Sequence, residues 1–350
     1  MVLSADRTQR LKKTPMIQLS APFVQGQDWK NQLAQAIRDP AELLRLLDLP
    51  SHYLSGAILA NHLFPLRVPE SYLRRIKKGD PNDPLLRQVL PLDCEAETLK
   101  DYSDDPVGDL ASQKIPGLLH KYHGRVLLIT SAACGIHCRY CFRRNFPYQD
   151  SKASQNQWQN ALHYLIKHPD INEIILSGGD PLSLSDERLR HLVSELEKIP
   201  HLKTLRIHTR FPVVIPQRIT QLLLTMLSST PLKPVVVLHI NHANEIDNSV
   251  SQALALLRDA GVILLNQSVL LRNVNDSVET LEKLSHALFN SGVLPYYLHQ
   301  LDRVNGAAHF AVEKSRSVEI VDALRLRLPG YLVPRLVEEQ AGEASKIPLF

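Results

Sequence analysis

Residues 126–144, VLLITSAACGIHCRYCFRR, join a short apolar run to three closely spaced cysteines. The run VLLIT follows Arg125 and gives way to small residues, the pattern of a short buried strand. Cys134, Cys138 and Cys141 then follow at CxxxCxxC spacing. Iron–sulfur clusters are ordinarily held by four thiolates, so three at this spacing hold three corners of a [4Fe–4S] cube and leave the fourth iron open for chemistry. Tyr140 and Phe142 stand among the thiolates as shields against water. A structural zinc site is the alternative, and it needs one more ligand, for which Cys94 and His137 are the nearest candidates. The spacing is not the CxxC knuckle that zinc fingers use twice.

Outward from this stretch, further apolar runs recur: EIILSG (173–178), TLRIHTR (204–210), VVVLHI (235–240), VILLNQSV (262–269) and PYYLHQL (295–301). Each is followed by a helical pattern, so the fold class is α/β with a parallel sheet. Six βα units are too few to close an eight-stranded barrel and predict an open, partial (β/α)6 TIM-like barrel. Polar residues cluster where these runs end: Ser177-Gly178-Gly179-Asp180, His208 with Arg210, His239 with Asn241, Gln267, and Asp302. In barrel-type folds the carboxyl ends of the strands carry the active site.

The residues before the barrel read as helices. Asp39-Pro40-Ala41-Glu42 is an N-cap followed by proline at the first helical position, and a second helix near SYLRRIKKG is expected to end on Gly79. Asp276 with Glu279 reads as a capping box, and Gly261 and Gly292 follow helix ends.

The chain has 350 residues and a formal charge of +4, its cations spread rather than blocked. A nucleic-acid face would need clustered cations, so none is expected. No apolar stretch approaches the ~20 residues that cross a bilayer, so no membrane role is expected. The opening MVLSADRTQRLKKTPMIQL lacks an apolar h-region, which argues against secretion. Three of the four cysteines sit in one cluster rather than a disulfide framework, which suits a reducing cytoplasm.

The motifs ACGIHCRYCFRR, LSGGDP, RIHTR, HINHANE, LLNQSVLLRNVND, PYYLHQLD and SKIP, in that order, resemble the lysine 2,3-aminomutases, which are radical S-adenosylmethionine (SAM) enzymes. DPAELLRLLDLP, LRVPESYL and GDPNDPLLRQVLP resemble the EpmB branch of that family, the elongation factor P (R)-β-lysylation proteins. The resemblance implies a radical SAM barrel over 116–330, a helical region over 1–115, and a C-terminal segment, 331–350, carrying the lysine that pyridoxal 5′-phosphate (PLP) joins. It implies conversion of (S)-α-lysine to (R)-β-lysine with a [4Fe–4S] cluster, SAM and PLP. It further implies a pathway link to elongation factor P and its lysyl ligase, and an electron donor such as flavodoxin.

Residue by residue, the resemblance makes Lys346 the PLP lysine and places Lys121, Arg125 and, less directly, Arg210 on the PLP phosphate. Arginine suits phosphate because its planar fork makes bidentate contacts. Arg143 is implied for the substrate carboxylate, and Asp302 and Glu339 for the side-chain ammonium, a pair that rejects substrates lacking a terminal cation. Gly178, Gly179, Asp180, His239 and Gln267 are implied around SAM. Two features depart from the pattern of longer members. Glu339 stands where many relatives have aspartate, and Gly342-Glu343-Ala344-Ser345 replaces a glycine-rich stretch. The chain ends four residues after Lys346 and has Ser277 where larger relatives have a zinc ligand, so no zinc is expected. The alternatives are a radical SAM enzyme for another amino acid, such as a glutamate aminomutase, and a non-enzymatic zinc-binding module.

Overall fold

The computed structural model describes residues 28–148 and 155–349. The reading of the first nineteen or so residues as a non-secretory N-terminus falls outside them. One ten-stranded sheet runs in strict chain order. Its strands are β1 (Gln113–Ile115), β2 (Leu118–Tyr122), β3 (Arg125–Ser131), β4 (Glu173–Gly178), β5 (Thr204–Thr209), β6 (Lys233–His239), β7 (Ile263–Val269), β8 (Leu294–His299), β9 (Arg335–Glu338) and β10 (Ile347–Pro348). From β3 to β9 every neighbouring pair is parallel. The pairs at the two margins, β1–β2, β2–β3 and β9–β10, are antiparallel. β1 and β10 are the two ends of this strand order and are not paired, so the sheet is an open barrel.

All six expected strands form, and helices Gln155–Lys167, Asp186–Leu196, Gln221–Ser229, Asn248–Asp259, Val278–Asn290 and Lys314–Arg325 make the crossovers. Strands covered by helices on one face and packed inside on the other read as near-continuous apolar runs, as β4 does with only Glu173 part-exposed. The helices bury one stripe: Leu189, Leu192, Val193 and Leu196 repeat at helical spacing under a Ser185 cap.

The partial barrel and helical N-terminal region stand as expected, with three local differences. Residues 331–349 join the sheet. They supply β9 as a seventh parallel strand and β10 as its antiparallel partner. β9 is only RLVE, too short for its periodicity to announce it, and its existence depends on the β8 ladder. The helix near SYLRRIKKG stops at Leu73. Beyond it Arg75 and Ile76 turn back to Tyr72 and Leu73, and Gly79 N is held by Leu47 O at 2.8 Å, so tertiary bonds replace helical ones. The helix Val278–Asn290 is capped by Ser277, which accepts from Thr280 N, while Asp276 accepts from Asn273 N at 3.0 Å. The Asp39 cap and the positive φ of Gly261 and Gly292 are as expected.

One core runs through both regions, joining Trp29, Leu43, Tyr72 and Leu86 to the barrel's Leu176, Leu205 and Leu238. No helix among the described residues is long and apolar enough to cross a membrane. A buried ion cluster fastens the helical region to the cysteine loop. Arg139 donates to both Glu95 oxygens at 2.8 and 2.6 Å, and Arg144 reaches the same carboxylate at 2.8 Å. Glu95 and Arg139 side chains are both fully buried. Removing one member of such a set strands the other charges at a cost of about 3–5 kcal/mol. Glu95→Ala is therefore expected to lower stability by about that amount, read as a fall in the urea midpoint.

Candidate active site

The carboxyl ends of the parallel strands open into a cavity of about 470 Å³. The cysteine loop lines one part of it, and Lys346 with Glu339 and Asp302 another. Ser177, Gly178, Gly179, Asp180, His208, Arg210, His239 and Gln267 line it as well. Each is at or near a strand end, where the alternation of apolar and polar residues had pointed.

Gly178 and Gly179, expected around SAM, pack against the cysteine loop. A Cβ on Gly179 would lie 2.5 Å from Ala133 O, and one on Gly178, whose φ is +121°, 2.6 Å from Ser131 O. The backbone they admit is that of the cysteine loop itself. Gly179 N donates to Ser131 O at 2.7 Å and Asp180 N to Ala133 O at 2.8 Å, so this segment straps the loop down. The Asp180 side chain is spent on structure too, accepting from Leu182 N, Thr209 Oγ1 and Arg210 N at 3.0, 2.7 and 2.7 Å. Burial pushes its carboxyl up to about 6 against those donors.

Cys134, Cys138 and Cys141 are free thiols lining the cavity. Burial, then the neighbouring cysteines, pushes the Cys134 thiol well up, and burial with Cys138 pushes Cys141 up to about 11. Thiolates that repel one another suit a shared cationic partner, which is what a cluster core is. Among the described residues no three His, Cys, Asp or Glu side chains converge on the position of a single ion. A cube does not ask them to, since each thiolate binds a different iron. His137, a candidate fourth ligand for zinc, bonds through Nδ1 to Pro65 O at 2.7 Å and stacks on Phe64. Cys94 does not line the cavity.

Arg210 is corrected from a phosphate candidate to a strut. Its guanidinium bonds to Glu245 at 2.8 Å, Gln88 at 2.7 Å, Tyr140 at 2.8 Å and the Cys138 sulfur. His239 Nε2 lies 3.0 Å from Tyr140 Oη, and the two rings stack. Burial and Arg210 hold that imidazole down at about 3, so it is neutral. Gln267 lines the cavity from β7.

Around Lys346 the charges alternate. Lys346 Nζ donates to Glu339, whose other oxygen takes Lys121 Nζ at 3.0 Å. Lys121 also bonds Asp109 at 2.6 Å, and Asp109 bonds Arg143 Nε at 2.7 Å. Burial alone would raise Glu339, but Lys346 and Lys121 hold its carboxyl far below the usual range. Lys121 is thus committed to two carboxylates. Arg125, over the Tyr122 ring at 4.8 Å, has no hydrogen-bond partner for its guanidinium among the described residues, and it is the cation open to a phosphate. Arg143 keeps Ser177 Oγ at 3.2 Å and has no partner for Nη2 among the described residues. The antiparallel return of β10 on β9, Ile347 against Glu338, is what sets Lys346 beside Glu339. These donors and acceptors fit both groups: three thiols for a cluster, and an amine, an aromatic face at Tyr297 and a free arginine for PLP.

Sequence reasoning missed Asp109, the buried carboxylate between Lys121 and Arg143. It sits in a loop with no periodic signal, and its partners are distant in the chain.

Comparisons with known proteins agree with this geometry. Residues 123–214 match the family described as "4Fe-4S single cluster domain". The L-lysine 2,3-aminomutase of Escherichia coli (strain K12) is 51% identical over 324 residues, covering 92% of this chain and 94% of that protein. That of Haemophilus influenzae is 47% identical over 91% of this chain and 95% of its own. The chain belongs to the lysine 2,3-aminomutase family. Family members differ in length: the Clostridium subterminale protein is 37% identical over 92% of this chain but only 77% of its own. Among solved structures, a radical SAM methyltransferase from Sphaerobacter thermophilus is 14% identical with a TM-score of 0.41, over 63% of this chain and 68% of that one, a likeness too slight to carry argument.

Asp302 differs from the other acids of this family member's site. Burial first, then Glu339 and Asp109, push its carboxyl up to about 7, with Lys346 and Lys121 pulling the other way. The folded chain therefore holds a proton there that the unfolded chain releases at ordinary aspartate pH, and stability falls as pH rises through that window. Asp302→Asn is expected to remove this slope, so the variant gains on the parent between about pH 4 and about pH 7 in denaturant titrations. Equal slopes would mean that Asp302 is not so perturbed.

Proposed function

We propose that this chain is an L-lysine 2,3-aminomutase, an isomerase that converts (S)-α-lysine to (R)-β-lysine. The observation that carries the reading is one cavity holding three thiols, a lysine amine and a carboxyl without a cation. When bound, the cluster with SAM supplies a carbon-centred radical, and PLP supplies a conjugated system across which an amino group migrates. Cys134, Cys138 and Cys141 would hold the cluster, Lys346 would hold PLP, and Arg125 would take its phosphate. Arg143, oriented by Asp109 and Ser177, would receive the substrate carboxylate on its open edge. Asp302 would receive the side-chain ammonium, and that charge would draw off the Asp302 proton. Glu339 would share in this while balancing Lys121 and Lys346. His239 and Gln267 would line the SAM side, and Gly178, Gly179 and Asp180 would act through the cysteine loop rather than by contact.

A glutamate aminomutase fits less well. An acidic side chain would meet Asp302 with no compensating cation bonded to it. Supply of β-lysine for elongation factor P, with a separate ligase and a donor such as flavodoxin in the cytoplasm, rests on the likeness of the N-terminal motifs to the EpmB branch.

Anaerobically reconstituted protein given L-lysine, SAM, PLP and dithionite should form β-lysine; a protein with bound cluster and PLP that forms none would sink the reading. Borohydride reduction should fix PLP on Lys346, and Lys346→Ala should lose the fixed label while keeping the cluster's visible absorbance. A label on another lysine would refute that assignment.

A further inference from the structure

Behind Asp302 and Glu339 lies a second cavity, of about 760 Å³, which shares these two residues and Leu301 with the first. Its walls are the segment 99–106, the loop after β8, the start of the helix Lys314–Arg325 and the turn after β9. Ser103 N donates to Arg303 O at 2.9 Å and Asn305 N to Ser103 O at 3.0 Å, so the first of these walls is tied to the second.

Two acceptors on this wall have no donor bonded to them among the described residues. Gln300 is 8% exposed, and its Nε2 donates to Val312 O. A carbonyl can only accept, so that bond fixes which end of the amide is which. Gln300 Oε1 is then buried without a hydrogen-bond partner. Asp302, in the same loop, has no donor or cation bonded to its side chain among the described residues. Of the neighbouring acids, Glu338 is matched by Lys314 at 2.5 Å and Asp101 by Arg303 at 3.6 Å. A buried unpaired acceptor is normally satisfied by protein, water or ligand. Two acceptors, one of them a carboxyl, ask for a group with several N–H donors and a positive charge. A primary ammonium has three donors and can serve both.

We infer that this second cavity binds a primary ammonium compound through Gln300 Oε1 and Asp302, and that it is the outer station from which lysine enters the reaction chamber. The entry role rests on lysine being the substrate. Asp302 belongs to both chambers, so it can hand the ammonium from one to the other without the charge being bare at any point.

The test is calorimetric titration of the cluster- and PLP-loaded enzyme with L-lysine, SAM being omitted so that nothing turns over. Two sites are expected. Gln300→Met should weaken the weaker one at least about tenfold and leave the tighter one unchanged. Gln300→Lys keeps a donor for Val312 O and puts a cation where the ammonium would sit, so it guards against a simple folding defect and should abolish the weaker site. A single site in the parent that Gln300→Lys leaves intact overturns the inference, as does a weaker site that survives Gln300→Lys or the loss of both sites together in that variant. A parent lacking only the tighter site would count against lysine as the substrate and for the separate station.

Discussion

Arg143, Asp109, Lys121, Glu339 and Lys346 form a line of alternating charge in which each carboxylate is held between two cations, with separations of 2.7, 2.6 and 3.0 Å along its first three links. Asp109 is buried and the other members are at least largely so. Charges taken out of water are tolerable only when matched and hydrogen-bonded, and losing one strands its neighbours. The line therefore fixes four separate pieces of chain to one another: the cysteine loop, the loop before β1, the second strand and the C-terminal return. Asp302 lies beside this line with no cation bonded to it, and burial, then the Glu339 charge, pushes its carboxyl up to about 7.

A second set of buried charges does the same for the far side of the cysteine loop. Glu95 gathers Arg139 and Arg144, while Glu245 and Gln88 hold Arg210 against Tyr140 and Cys138. Between the two sets, the backbone of the loop is pressed against Gly178 and Gly179, where any larger residue would collide. The thiols are thus placed by the surroundings of their loop more than by its own conformation. That is the rigidity a site for a reactive intermediate needs, since positioning and exclusion of water are what the protein contributes to cofactor chemistry.

Much of this was legible from residues alone. The six apolar runs gave six strands because strands buried on both faces read as continuous hydrophobic segments. The polar residues after them pointed to one end of the barrel, and the cysteine spacing pointed to a cluster. Roles inside the site were less legible. Arg210 and Arg125 are both arginines near strand boundaries, yet one is bonded through both terminal nitrogens and the other has an open guanidinium. Gly178 and Gly179 suggested close approach correctly but not what approaches. Asp109 gave no signal, because a carboxylate in a loop declares nothing until its cations arrive from elsewhere.

The sequence by itself determined six of the seven parallel strands of the central barrel, the thiol triad and the family resemblance, because periodicity and spacing are local properties of the chain. The tertiary structure alone decided which charges are matched and which are left open. Pairing across hundreds of residues depends on where β9 and β10 bring the C-terminus back, and β9 exists only because β8 is there to bind it. The open guanidinium of Arg125, the uncompensated carboxyl of Asp302 and the orphaned oxygen of Gln300 are visible only after every neighbour has been placed.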